Sequence, residues 1–226
     1  MPILSDLTPQ VDETALRSIL RLPGDDAGLA AAAEILAVAV PLLEPRAFFR
    51  DDFVEARDET GVVIGGRSFR SRVLRSNLDG IERVFPYVIT VGGRLEQEAS
   101  AQDDLLRQFS LEAAADLALG AAGARLEAHI RRIFGTGPLS AMNPGSLPDW
   151  PIEEQKPLFA LLGDGPDRLG IRLTDSLLMM PRKSVSGILF ASEEAFTSCA
   201  LCPRPRCHGR RAAYDPDKRA SLGLDS

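Results

Sequence analysis

Most of the ingredients of a familiar active site are missing or scarce. The 226 residues include two histidines, three cysteines and one tryptophan. Neither His129 nor His208 sits in a context that suggests a Ser/His/Asp or Cys/His arrangement, so nucleophilic hydrolysis has no constellation to carry it. Gly-x-Gly-x-x-Gly is absent, and with it the dinucleotide fingerprint. There is no excess of positive charge: 26 Lys+Arg stand against 32 Asp+Glu, a net charge of −6. That balance argues against a general nucleic-acid binder, since phosphate contacts need a basic face. No apolar run is long enough to span a bilayer; the longest, residues 29–43, is interrupted by Glu34 and Pro41. The opening Met1-Pro2-Ile3-Leu4-Ser5-Asp6 lacks the basic and apolar regions of an export signal, so no membrane partner is expected.

The composition is otherwise that of an ordinary globular chain, 45% hydrophobic and 26% charged. Its three cysteines, Cys199, Cys202 and Cys207, lie within nine residues. An odd, tightly clustered set cannot form a disulfide framework. It fits a reducing compartment, and a cytoplasmic location is expected.

Periodicity and punctuation predict a mixed order of elements. Asp12-Glu13-Thr14 can cap a helix through Arg21, and a second helix is expected over residues 25–43. Strand-like stretches follow at residues 47–56, 61–64 and 69–74, then a short helix at 81–84 and a buried strand at 87–91. Residues 102–134 carry a long amphipathic helical pattern, residues 142–151 a Pro/Gly loop, and residues 152–162 another helix. Residues 170–191 read as strands joined at Met180-Pro181-Arg182-Lys183. Because strands and helices do not alternate strictly, the fold class expected is α+β, a largely antiparallel twisted sheet with flanking helices. One domain over residues 1–195 and a Cys-bearing basic tail over residues 196–226 are expected.

The tail reads Ser198-Cys199-Ala200-Leu201-Cys202-Pro203-Arg204-Pro205-Arg206-Cys207-His208, with the spacing C-x2-C-x4-C. Two thiolates three positions apart can meet one ion through a tight turn, and Cys207 can close the same site. Three cysteines with one open position suit an iron–sulfur cluster whose fourth ligand comes from elsewhere. Zinc completed by His208 or water is the alternative, and three free thiols on a loose end the plain one. Arg204, Arg206, Arg210 and Arg211 would stabilise thiolates, or form a docking patch for an acidic partner, or be a solvated tail.

Other motifs have bland readings. Residues 61–68 nearly match a phosphate loop, but Arg67 replaces the lysine and Val62, Val63 and Ile64 are strand formers, so a strand and turn are expected. Met179 and Met180 read as packing residues, and Glu153 and Glu154 as first-turn acids that complement a helix dipole. Ser184 and Ser186 alternate with Val185 and would share one face of a strand.

Residues 170–187 resemble the activation-domain motif of cobalamin-dependent methionine synthase. The resemblance is carried by Leu173-Thr174-Asp175-Ser176, Met180-Pro181 and Ser184-Val185-Ser186-Gly187. The Pro144-Gly145 loop, Trp150-Pro151 and Glu153-Glu154-Gln155 are similar to those of small stand-alone members, and the tail to their Cys-bearing ends. The resemblance covers residues 139–214. It implies an activation fold that docks onto a cobalamin-binding protein and helps return inactive cob(II)alamin to use. The cobalamin would sit on the partner, a corrinoid protein or methionine synthase subunit, and a ferredoxin or flavodoxin would supply electrons. Pro144, Gly145, Ser146, Lys183, Ser184, Ser186 and Gly187 are the residues implied to face a cofactor. The family binds S-adenosylmethionine with an Arg-x-x-Pro-Gly-Tyr loop; here Ala141-Met142-Asn143-Pro144-Gly145-Ser146 lacks both the Arg and the Tyr. A bidentate clamp on the ligand's carboxylate is therefore not implied. Three readings stay open: an activation subunit, a stand-alone iron–sulfur redox carrier, and a zinc-stabilised interaction subunit of a methyltransferase assembly.

Overall fold

The computed structural model describes residues 3–4, 7–192, 196–206, 210, 212–222 and 224. Short-range chemistry sets its helix starts. Asp12 accepts from the amide of Ala15 at 3.1 Å and opens α1 (Glu13–Leu20); Asp25 does the same for Gly28 at 3.1 Å and opens α2 (Asp26–Ala39). The second helix was expected to reach residue 43. It tightens instead into a 3-10 turn at Val40–Leu42, where Pro41 interrupts the α-helical ladder.

The stretch expected as one strand over residues 47–56 is two, β1 (Arg46–Phe49) and β2 (Asp52–Arg57). β3 (Gly61–Ile64) and β4 (Arg67–Arg70) pair in a hairpin with Ile64 opposite Arg67. The near-phosphate-loop is thus a strand and turn, with Gly65 at φ 52° and Gly66 at φ 71° supplying the left-handed pair a two-residue hairpin needs. The chain then leaves the sheet earlier than expected. Ser71 accepts from the amide of Leu74 at 2.9 Å and starts α3 (Arg72–Asn77), so residues 72–74 are helical. The helix expected at residues 81–84 is the approach to β5 (Arg83–Thr90).

Helices α4 (Arg94–Ser100) and α5 (Leu105–Phe134) follow, then β6 (Leu139–Met142), a 3-10 turn at Ile152–Glu154, α6 (Gln155–Leu162) and α7 (Gly165–Arg168). The short strands β7 (Arg172–Leu173) and β8 (Met179–Met180) precede β9 (Ser184–Ala191); a 3-10 turn at Ser198–Leu201 and α8 (Pro216–Ser221) complete the order. Strands run β4-β3-β2-β5-β9-β6 across a seven-stranded sheet, with β1 also paired to β5. The pairs β2/β3, β2/β5, β3/β4 and β6/β9 are antiparallel, so the α+β expectation holds. Among the described residues no helix is long and apolar enough to cross a membrane.

The chain forms two compact units. The first comprises Met1–Phe48, Val88–His129 and Asp164–Val185. Its core joins Leu16, Leu43, Val91, Leu95 and Leu111 to Ala113, Ala114, Ala115 and Ala118, whose small side chains let neighbouring helices lie close. The second comprises Phe49–Tyr87, Ile130–Gly163 and Ser186–Ser226. Its core is aromatic: Phe85 and Phe134 meet at 4.8 Å between ring centres, and Phe69 meets Trp150 edge-on at 6.4 Å.

Candidate functional site

In the second unit, β6 and β9 pair with Ala141 opposite Leu189 and Met142 opposite Ile188. Where β6 ends, Asn143 uses both amide protons, one on the Tyr87 hydroxyl at 2.7 Å and one on the Ser186 carbonyl at 2.7 Å. The strands approach so closely that a Cβ on Gly187 would lie 2.3 Å from the Met142 carbonyl oxygen. Ser186 is 2% exposed and donates its hydroxyl proton at 2.6 Å to Gln155, itself 3% exposed. Ser186→Ala would leave that amide oxygen buried without its donor. We expect a loss of about 1–3 kcal/mol, read as a lower urea midpoint with an unchanged slope.

The loop beyond Asn143 is closed by its own backbone. Gly145, at φ 82°, donates its N–H to the Trp150 carbonyl at 2.7 Å, and Ser146 donates its hydroxyl proton to the Asn143 carbonyl at 2.6 Å. Trp150 is fully buried, with its indole N–H 3.4 Å from Glu154. Glu154 also accepts from the amide of Arg70 at 3.0 Å, a specific link to β4 beyond the expected dipole role. Asp149 accepts from the Ser71 hydroxyl and from the Val73 amide at 3.0 Å. Beside it lies a cavity of about 200 Å³ lined by Arg72, Leu147, Pro148, Asp149, Arg219 and Leu224.

The residues expected to face a cofactor have unlike settings. Gly145 and Ser146 are exposed, whereas Pro144, Ser186 and Gly187 are buried. Lys183 and Ser184 lie in the first unit. Lys183 pairs with Asp116 at 2.7 Å, and Ser184 is 3.0 Å from the Thr90 hydroxyl and donates to the Pro181 carbonyl at 2.7 Å. Next to Lys183, Arg182 binds Glu96 at 2.6 Å and Glu112 at 3.2 Å, and the Glu96 hydrogen bond pushes its guanidinium pKa further up. Asn143, Tyr87 and Asp149 were missed by sequence reasoning. Asn143 was readable only as the residue preceding Pro144-Gly145.

The described part of the cysteine tail is docked on this unit. The Phe196 amide donates to the Ser140 hydroxyl at 2.8 Å, and the Ser198 hydroxyl lies 3.4 Å from that of Ser146. Thr197 caps the Ser198–Leu201 turn, Leu201 is fully buried, and the Asp215 amide donates to the Ala200 carbonyl at 2.8 Å. The Cys202 amide donates to the Cys199 carbonyl at 3.3 Å. Cys199 lies inside the 3-10 turn and Cys202 is the extended residue that ends it, and both are half-buried. Arg204 and Arg206 are exposed, while Arg210 is half-buried and donates to backbone carbonyls. Cys207, His208 and Arg211 lie outside the described residues. Among the described residues no group of three His, Cys, Asp or Glu could hold a metal.

Residues 140–198 match the family described as vitamin B12 dependent methionine synthase, activation domain. That segment runs from β6 through the Pro144-Gly145 loop and Ser186-Gly187 to the first residue of the cysteine turn. The chain also has the fold of the MetH reactivation domain, crystallised bound to AdoHcy. The two are 19% identical over 88% of this chain and 81% of that one, with a TM-score of 0.60. No curated protein matches. The resemblance and the fold class read from the sequence both stand.

Proposed function

We propose that this chain, which carries the signature segment and the fold of the methionine synthase activation domain, is an activation subunit of cobalamin-dependent methionine synthase. It docks onto a partner that carries the corrinoid and supports the reduction of cob(II)alamin. The observation that carries this reading is the segment at residues 140–198. Within it Asn143, Ser186 and Gln155 form one hydrogen-bonded lattice with Tyr87, while Gly145 and Ser146 remain exposed beside the cysteine turn. A rigid loop presented this way suits the recognition of a partner-bound cofactor.

Cys199, Cys202 and Cys207 would hold an iron–sulfur cluster, with zinc as the alternative. The C-x2-C spacing, closed by the backbone bond from Cys202 to Cys199, suits two thiolates on one centre. A cluster would supply one-electron transfer, with electrons arriving from a ferredoxin- or flavodoxin-like donor in a reducing cytoplasm. S-adenosylmethionine fits less well. Ala141 and Ser146 stand where the family has Arg and Tyr, the Gly145 N–H is given to Trp150, and both Asn143 protons are already used.

The test is anaerobic purification with iron, sulfide and zinc analysis and an absorption spectrum, followed by cob(II)alamin reduction on a methionine synthase corrinoid fragment. We expect iron and sulfide in near-equal amounts. Cys202→Ser should lose most of the cluster absorbance and the reduction rate while still binding the corrinoid fragment. Zinc alone would leave a docking subunit without electron transfer. Failure to bind any corrinoid fragment would sink the proposal.

A further inference from the structure

We infer that Arg210 is the positioning residue of the Cys199/Cys202 site: its guanidinium fork fixes the backbone of the cysteine loop so that both sulfurs are presented to one soft metal ion. The inference rests on the metal reading of the tail given above. Pro203 and Pro205 have no N–H and cannot join a hydrogen-bond ladder, so beyond the 3-10 turn, where Arg219 holds the Leu201 carbonyl at 2.9 Å, the loop's backbone is held by side-chain donors. Arg210 supplies the donors to the carbonyls of the two described cysteines. One terminal nitrogen donates to the Cys199 carbonyl at 3.1 Å and the Ala212 carbonyl at 3.2 Å. The other donates to the Cys202 carbonyl at 3.2 Å and to the Arg204 carbonyl.

One side chain thus grips the carbonyls of Cys199, Cys202 and Arg204 and, further along the chain, of Ala212. The sequence leaves the arginines here open as charges on thiolates, as a docking patch or as a solvated tail. The structure instead separates Arg210, whose donors are spent on backbone, from Arg204 and Arg206, which are exposed. A guanidinium is planar and offers five donors in a fixed fork, whereas an ammonium is a point charge that cannot span the same carbonyls. Arg210 touches no metal in this scheme. It acts through the backbone that carries the ligands, as outer partners do at metal sites.

The test uses the full chain, anaerobic and metal-free, titrated with Co2+ as the probe. Thiolate–cobalt charge-transfer bands report the number and geometry of bound sulfurs. In the wild-type chain, Co2+ should displace the thiol protons and give these bands, and Cys199→Ser should weaken them. Arg210→Gln should weaken the apparent affinity about 10- to 100-fold and shift the bands at saturation. Arg210→Lys, which keeps the charge without the fork, should recover little of that loss. Arg206→Gln, which removes an exposed charge from the same loop, should bind as wild type does. If the wild-type chain gives no bands, the metal reading itself fails. If it gives bands and Arg210→Lys matches it, or Arg206→Gln falls as far as Arg210→Gln, charge alone is at work and the positioning role is overturned.

Discussion

Gly187→Ala is expected to destabilise the second unit by about 3 kcal/mol, for the sake of one methyl group. The added Cβ would lie 2.3 Å from the Met142 carbonyl oxygen, 2.5 Å from the Asn143 side-chain nitrogen and 3.0 Å from the Tyr87 ring. The first of these atoms is backbone, fixed by the pairing of Met142 with Ile188, so it cannot swing aside as a side-chain terminus would. Relief requires β6 and β9 to separate at the point where Asn143 joins Tyr87 to Ser186. The substitution should therefore lower the thermal midpoint by about 6–12 °C for a chain of this size. A midpoint within about 2 °C of wild type would mean that the strands tolerate separation and that the close approach does not hold the loop.

What the sequence made legible is what short-range rules govern. Asp12 and Asp25 mark helix starts because a cap acts within three residues, and residues 61–68 were readable as a strand and turn because Val62, Val63 and Ile64 are strand formers and Gly65-Gly66 takes left-handed positions cheaply. The α+β class followed from the mixed order of elements, and the Pro144-Gly145 loop and the cysteine cluster were visible as motifs. What stayed hidden depends on partners far along the chain. Ser71 looked like a strand residue because its other partner, Asp149, is 78 positions away. Glu154 looked like a residue serving a helix dipole because its bond to the Arg70 amide spans 84 positions. Arg210 looked like surface charge because nothing in a sequence says that its donors go to carbonyls. The burial of Ser186 and Gly187 was hidden for the same reason: alternation places them on a strand, but only pairing and the Gln155 contact decide whether a face is wet.

Trp150→Ala should be the other large loss, about 3–5 kcal/mol for a fully buried tryptophan, and its consequences should reach the exposed loop. Trp150 is the chain's one tryptophan, with no exposed surface and Phe69 against it at 73° between ring planes. Its carbonyl accepts from Gly145 at 2.7 Å and its amide donates to Leu147 at 3.1 Å, so the buried ring anchors both ends of the turn that displays Gly145 and Ser146. Truncation leaves a cavity behind Phe69 and frees that turn, on which the 3.4 Å approach of Ser146 to Ser198 depends. Trp150→Phe keeps most of the apolar volume and loses only the long 3.4 Å contact to Glu154, so it should be markedly milder. The check is a urea series by circular dichroism on both variants, with corrinoid-fragment affinity measured where each remains folded. If the loop is the docking element, affinity should fall for Trp150→Ala and hold for Trp150→Phe. Equal affinity in a folded Trp150→Ala would move the docking surface away from residues 143–150 while leaving the packing argument intact.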